Sequence, residues 1–244
     1  MFFRVMRAER YKLRHSPVWL AFLVMPLFPA FFGSVNLLNN LGLLSLDWEH
    51  LWTQHSLFSG YFFYPALIGV YCSYLWRLEH FDHNWNQVRC APVPLSQVFL
   101  GKLTLAAVMT FLAQVWGMVL FAVSGLICGI PFSSFPAAGA AAWLLRGVCG
   151  GIAVSALQLL LSLVIRSFAV PVGLAMAGGV LGLGLSAKGF GYYCPFSLLS
   201  IGMNANGRYD SLPVPLFFGS CALFILFFSA AGIFYLKKSD VKTG

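Results

Sequence analysis

The sequence predicts an all-α, polytopic membrane protein with six transmembrane helices, both termini cytoplasmic, and an amphipathic helix at its N-terminus. Three observations lead there. Hydrophobic residues make up 59% of the 244 and charged residues only 9%, with a mean hydropathy of +0.81. Soluble domains hold roughly 45–50% apolar and about 25% charged residues. Apolar runs recur at the length of about 20 residues that a helix needs to cross a roughly 30 Å hydrocarbon layer. The cations alternate from one connection to the next.

Residues 1–16 are basic and amphipathic: Arg4, Arg7, Arg10, Lys12 and Arg14 stand among Phe2, Phe3, Val5, Met6 and Leu13. Arg7, Arg10 and Arg14 share one helical side by their spacing. Such a segment is expected to lie along the headgroups with its apolar side down. Its charged stretch runs through His15 into a run long enough to span, so it is expected to be a retained first helix and not a cleaved signal.

The spans are expected at about 17–35, 57–76, 103–126, 147–165, 168–185 and 212–235. The 36–56 stretch reads as a polar-tinged loop with Asp47, Glu49, His50 and His55. Residues 77–102 form the most polar region of the chain. The run from Ala137 to Ile165 is too long for one upright span, so the span is expected to start at Gly147, with Arg146 at its mouth. The 186–211 loop is apolar for a connection and is expected to dip back into the membrane. There its irregular backbone must bury against protein.

Orientation follows from the charges. With both termini cytoplasmic, the inner side receives Arg4, Arg7, Arg10, Lys12, Arg14, Arg77, Arg89, Lys102, Arg166, Lys237, Lys238 and Lys242. That is twelve of the fifteen Lys and Arg, leaving only Arg146, Lys188 and Arg208 outside. Cytoplasmic loops collect cations in this way. The net charge of +8 therefore reports topology, and no nucleic-acid partner is expected. A transmembrane β-barrel would show alternating ten-residue segments, and none occurs.

Chemistry is sparse. The only Gly-Lys pair, Gly101-Lys102, precedes Leu103, so no G-x-x-x-x-G-K-[ST] phosphate loop is present. Any ATP dependence must come from another polypeptide, and the chain is not expected to be an enzyme or to hold a cofactor. No metal site is expected: His80 and His83 could share a face, and Glu49, His50 and His55 lie close in sequence, but solvated loop histidines are the default reading. None of the six cysteines forms C-x-x-C. Cys128 and Cys194 fall on one outer side, where a disulfide is possible. The mid-span polar residues are chiefly Gln114 and Gln158, read as interhelical hydrogen-bonding groups or as a cavity lining. Arg146 is either a snorkelling anchor or an electropositive feature of an outer cavity. Gly147, Gly151 and Ser155 put small residues on one helix side, which favours close helix packing or dimerisation. In the 77–102 segment, Trp85 needs an apolar place to bury itself, which suggests a docking element for a soluble partner.

Glu79, Asn84, Trp85, Pro92-Val93-Pro94 and Lys102, together with Glu9-Arg10-Tyr11-Lys12, Trp19, Pro26, Trp52 and Tyr64-Pro65, resemble the type-2 ABC exporter permeases. Within them the chain looks like the lantibiotic-immunity permeases of bacterial plasma membranes. That resemblance implies that the N-terminal segment is an elbow helix. It also implies that Glu79 to Arg89 is a coupling helix seated in a separate ATPase, with Glu79, Asn84, Trp85 and Arg89 as its contact residues. The loop before the last span would hold outer re-entrant helices. The implied partners are ABC ATPase subunits carrying ATP and Mg, a second permease chain (the same or different), and a peptide or amphiphilic cargo. The expected function is export of an antimicrobial peptide. The rivals are export of a lipid, polysaccharide or drug, and a non-transporting membrane anchor or sensor.

Overall fold

A computed structural model of the chain describes residues 2–80, 90, 92–207 and 212–238. Among these residues every regular element is helical. Ten α-helices follow in order: α1 Phe2–Leu13, α2 Val18–Val24, α3 Leu27–Asn39, α4 Trp48–Phe58, α5 Tyr64–His80, α6 Leu95–Ile127, α7 Ala137–Val164, α8 Ala169–Ala187, α9 Pro195–Gly202 and α10 Val214–Lys238. Five stretches are long and apolar enough to cross a membrane: Val18–Asn39, which joins α2 to α3, together with α6, α7, α8 and α10. The 57–76 run is not among them, since α5 has only 17 residues.

Prolines account for the irregularities. Pro26 has no N–H and divides α2 from α3. Pro65 likewise cannot donate to Tyr61. The helix there widens into a π-turn over Ser59–Phe63, in which the Tyr64 N–H reaches back to the Ser59 carbonyl. Helical structure is nevertheless unbroken from Trp48 to His80.

Several boundaries differ from the sequence reading. The 36–56 segment is no loop: α3 continues to Asn39 and α4 starts at Trp48, capped by Asp47, whose carboxylate accepts from the His50 N–H at 2.8 Å. His55 is consequently buried, its ring nitrogen 3.2 Å from Ser34 Oγ. Helix α6 begins at Leu95, so Lys102 lies inside it. At 33 residues α6 is about 50 Å long, more than a bilayer core requires. It ends in a turn with Gly129 at φ 85, where the Ile130 N–H reaches the Gly125 carbonyl at 2.9 Å. Helix α7 is continuous from Ala137, which places Arg146 about two and a half turns inside it. Cys128 and Cys194 are free thiols.

Helix α7 is the centre of the bundle, packed against α5, α6, α9 and α10. Every residue of the short α9 is buried. It fits because two glycines face two backbones: a Cβ on Gly150 would run into the Leu198 carbonyl, and one on Gly202 would meet the Arg146 carbonyl. Small residues let backbones approach in this way.

Candidate functional site

Two places in the bundle gather polar groups. The first lies at the end of the bundle where α1 packs, and it is built from charges that an apolar core could not hold singly. Lys102, two turns into α6, is 0% exposed, and Glu79, one residue before the end of α5, is 2% exposed. Leaving such a charge unpaired costs several kcal/mol. The Lys102 ammonium has three N–H donors and uses all of them: to Glu9 Oε2 at 2.7 Å, Glu79 Oε1 at 2.7 Å and the Leu75 carbonyl at 2.6 Å. It also stands 4.7 Å from the ring centre of Trp76, a favourable cation–π position. Lys12 completes the set, donating to Glu9 Oε1 and Glu79 Oε1, both at 2.6 Å. Two carboxylates and two ammoniums leave the cluster neutral, which is what makes its burial tolerable.

The cluster shapes its own ionisation. Burial works against charge on Lys12, yet Glu79 and Glu9 outweigh it and raise its pKa above the ordinary 10.5. Burial likewise opposes ionisation of Glu79, and the attraction of Lys102 and Lys12 overrides it, holding the carboxyl below 4.5. Next door, the His80 ring N–H donates to the Ser162 carbonyl at 2.9 Å, and burial lowers its pKa. The arrangement is a latch: it ties α1 to α5 and α6 and, through His80, ties α5 to α7.

The second place is a cleft at the opposite end, where α4 begins and α7 emerges. Trp52 stacks flat on Trp143, ring centres 5.1 Å apart and planes within 7°, and its indole N–H donates to the Met203 carbonyl at 2.7 Å. Beside this pair opens a cavity of about 410 Å³, lined also by Glu49, His50, Thr53, Gln54 and Asn204. That is within the range of ligand pockets. Asp47 is occupied by the His50 ring at 2.8 Å, whereas exposed Glu49 forms no ion pair among the described residues. The cleft therefore offers one available carboxylate beside two flat aromatic rings, a setting suited to a cationic, amphiphilic group.

The sequence-predicted residues distribute unevenly over these two places. Glu79 is in the latch, facing inward and not outward toward a partner. Asn84, Trp85 and Arg89 lie outside the described residues, as does Arg208. Gln114 lines a separate cavity of about 10 Å³ with Tyr64, Tyr71 and Thr110, room for about one water. Gln158 does not line it; its side chain is fully buried, and neither amide atom has a hydrogen-bond partner among the described residues. Half-buried Arg146 turns its Nε to the Ala142 carbonyl of its own helix at 3.2 Å and lines neither cavity. Gly147 faces Gln114 and Met203, Gly151 faces Thr110, and Ser155 donates to the Gly151 carbonyl at 2.8 Å. That small-residue face is thus filled from within the chain.

Sequence reasoning did not bring Glu9, Lys12 and Lys102 together. The signals were a single acid within a strongly basic helix and a single lysine within a long apolar one. The sequence matches the family described as ABC-2 family transporter protein over residues 5–182, a region that includes all four latch residues. No curated protein and no solved structure matches it significantly.

Proposed function

This chain belongs to the ABC-2 family of transporter proteins, membrane subunits that are generally not catalytic themselves, and from that premise we propose that it is the permease of an ATP-driven exporter that expels an antimicrobial peptide. The observation that carries the reading is the family match across the latch and the helices it joins. Five candidate spans make the chain a multi-pass membrane protein. The unbroken helix from Trp48 to His80 supplies the sixth crossing in this reading. Both termini then fall in the cytoplasm of a bacterial cell, with α1 as the elbow helix. Helix α9, buried between α7 and α8, is the outer re-entrant element.

The ATPase partner, which holds ATP and Mg, docks on the segment after Glu79, with Asn84, Trp85 and Arg89 at the contact. A push there reaches α5 and α6 at Glu79 and Lys102, and the latch carries it into α1. A bundle with two discrete packings converts such a displacement into alternating access. At the other end, the cleft beside Trp52, Trp143 and Glu49 receives the cargo. Its exposed Glu49 carboxylate and stacked rings favour a cationic amphiphile over a neutral polysaccharide.

Purification of the native complex from mild detergent tests the subunit role. An ABC ATPase and a second permease chain, identical or different, should accompany this one; their absence removes the exporter reading and leaves an anchor or sensor. Deletion of the gene tests the cargo. Sensitivity to cationic peptides should rise, and unchanged sensitivity with altered export of lipid or drug assigns another cargo.

A further inference from the structure

We propose that the outward face of α1 is a binding site for the headgroups of anionic phospholipids. The latch fixes which way α1 faces. Val5, Glu9 and Leu13 point inward: Val5 packs on Gly101, which has no Cβ to obstruct it, and Glu9 grips Lys102 at 2.7 Å. The C-terminal end is held as well, since the Trp19 indole N–H donates to the Leu13 carbonyl at 2.8 Å. At 100° per residue, Arg4, Arg7 and Arg10 then fall within an arc of about 120° on the opposite side, and Arg14 follows in the turn after Leu13. All four are exposed, and none forms an ion pair among the described residues.

The single acid of α1 matters most here. Glu9 could have neutralised part of this arc, but it is turned inward and spent on Lys12 and Lys102. The outward face is therefore uniformly cationic, and the latch prevents rotation that would hide it. Exposed Phe3 and Tyr11 lie in the same arc, giving the mixture of aromatic rings and cations that settles at headgroup depth. Guanidinium groups bind phosphate oxygens in pairs. Clustered cations next to a span select anionic over zwitterionic lipid by about fivefold for each Arg near the surface. The occupant that this charge and position fit is a lipid such as phosphatidylglycerol. The proposal rests on the reading above that α1 lies at the inner membrane surface.

The test uses the full chain in nanodiscs in which phosphatidylglycerol is titrated into phosphatidylcholine, with bound lipid counted by native mass spectrometry. The wild type should retain phosphatidylglycerol in preference, and salt should weaken that retention. Arg7→Gln, Arg10→Gln and Arg14→Gln together should reduce the preference on the order of a hundredfold, and Arg10→Gln alone about fivefold. Equal retention by the triple variant and the wild type overturns the proposal. So does a triple variant that keeps its lipid and instead loses a co-purifying ATPase. Labelling of Phe3→Cys by an impermeant maleimide in intact cells, in a background whose six native cysteines are replaced by serine, would separately remove the topology while leaving the lipid measurement to stand.

Discussion

The latch makes a quantitative demand that a double-mutant cycle can test. In the wild type the four charges sum to zero. Lys102→Met leaves Glu9 and Glu79 sharing Lys12 alone, and the buried cluster acquires a net negative charge. Glu79→Gln leaves two ammoniums with one carboxylate, a net positive charge. Each single change breaks a fully enclosed pair held at 2.7 Å and should cost about 3–5 kcal/mol. The double variant is different: Lys12 and Glu9 remain at 2.6 Å, neutrality is restored, and Met fills the space of the lysine stem. Its cost should fall short of the sum by a coupling of about 1–3 kcal/mol. The assay is thermal unfolding in detergent, in which each single variant should lose on the order of 10 °C. Trypsin cleavage within α1, whose helical backbone resists the protease while docked and becomes a substrate once the helix undocks and unwinds, gives a second readout. Additive costs, or a neutral effect of Lys102→Met on both readouts, would refute the argument that charge balance holds α1 in place.

Three further outcomes follow from particular contacts. Docking of α1, followed by the distance between spin labels on α1 and α6, should be flat between about pH 4.5 and 10.5. The depressed Glu79 contributes fully above 4.5 and loses its contribution as pH falls through its lower folded value; the raised Lys12 contributes fully below 10.5 and loses it only as pH rises through its higher one. Undocking near pH 7 would contradict this. Gln158→Leu removes a buried amide that has no partner among the described residues and should stabilise the purified protein by about 1–3 kcal/mol, read as a rise in melting temperature; a fall would mean that the amide is satisfied. Gly150→Leu should prevent α9 from seating against α7, seen as loss of monodisperse protein in size-exclusion chromatography, whereas Gly173→Leu, with open space around it, should be tolerated.

Much of the architecture is legible in the sequence because its cause is local. A run such as Leu103–Leu126 can satisfy its own backbone only as a helix once water is absent. Where boundaries move, the reason is also physical. The connection assigned to 36–56 is mostly helical because Asp47 caps α4 and Trp48 buries its ring against Phe121 and Phe135. Helix α7 starts ten residues before Gly147 because Arg146 can hydrogen-bond its own helix and gives the chain no reason to stop. The run before Trp76 is not among the five stretches long and apolar enough to cross a membrane, and its Ser59, Tyr61, Tyr64, Tyr71 and Ser73 are buried inside the bundle.

The candidate sites are less legible, since they depend on residues far apart in the chain. Glu79 reads in one dimension as a polar residue at the head of a docking segment, and nothing near it in sequence reveals that Lys102 will enclose it. Trp52 and Trp143 belong to helices that only the folded bundle brings face to face.

The sequence alone determines that this chain is helical, apolar on its outside and asymmetric in charge, because hydropathy and cation placement act residue by residue. Only the tertiary structure decides which charges are spent on one another. Coulomb attraction in a buried site depends on distances of a few ångströms between Glu9, Lys12, Glu79 and Lys102, and those distances exist only after α1, α5 and α6 have packed.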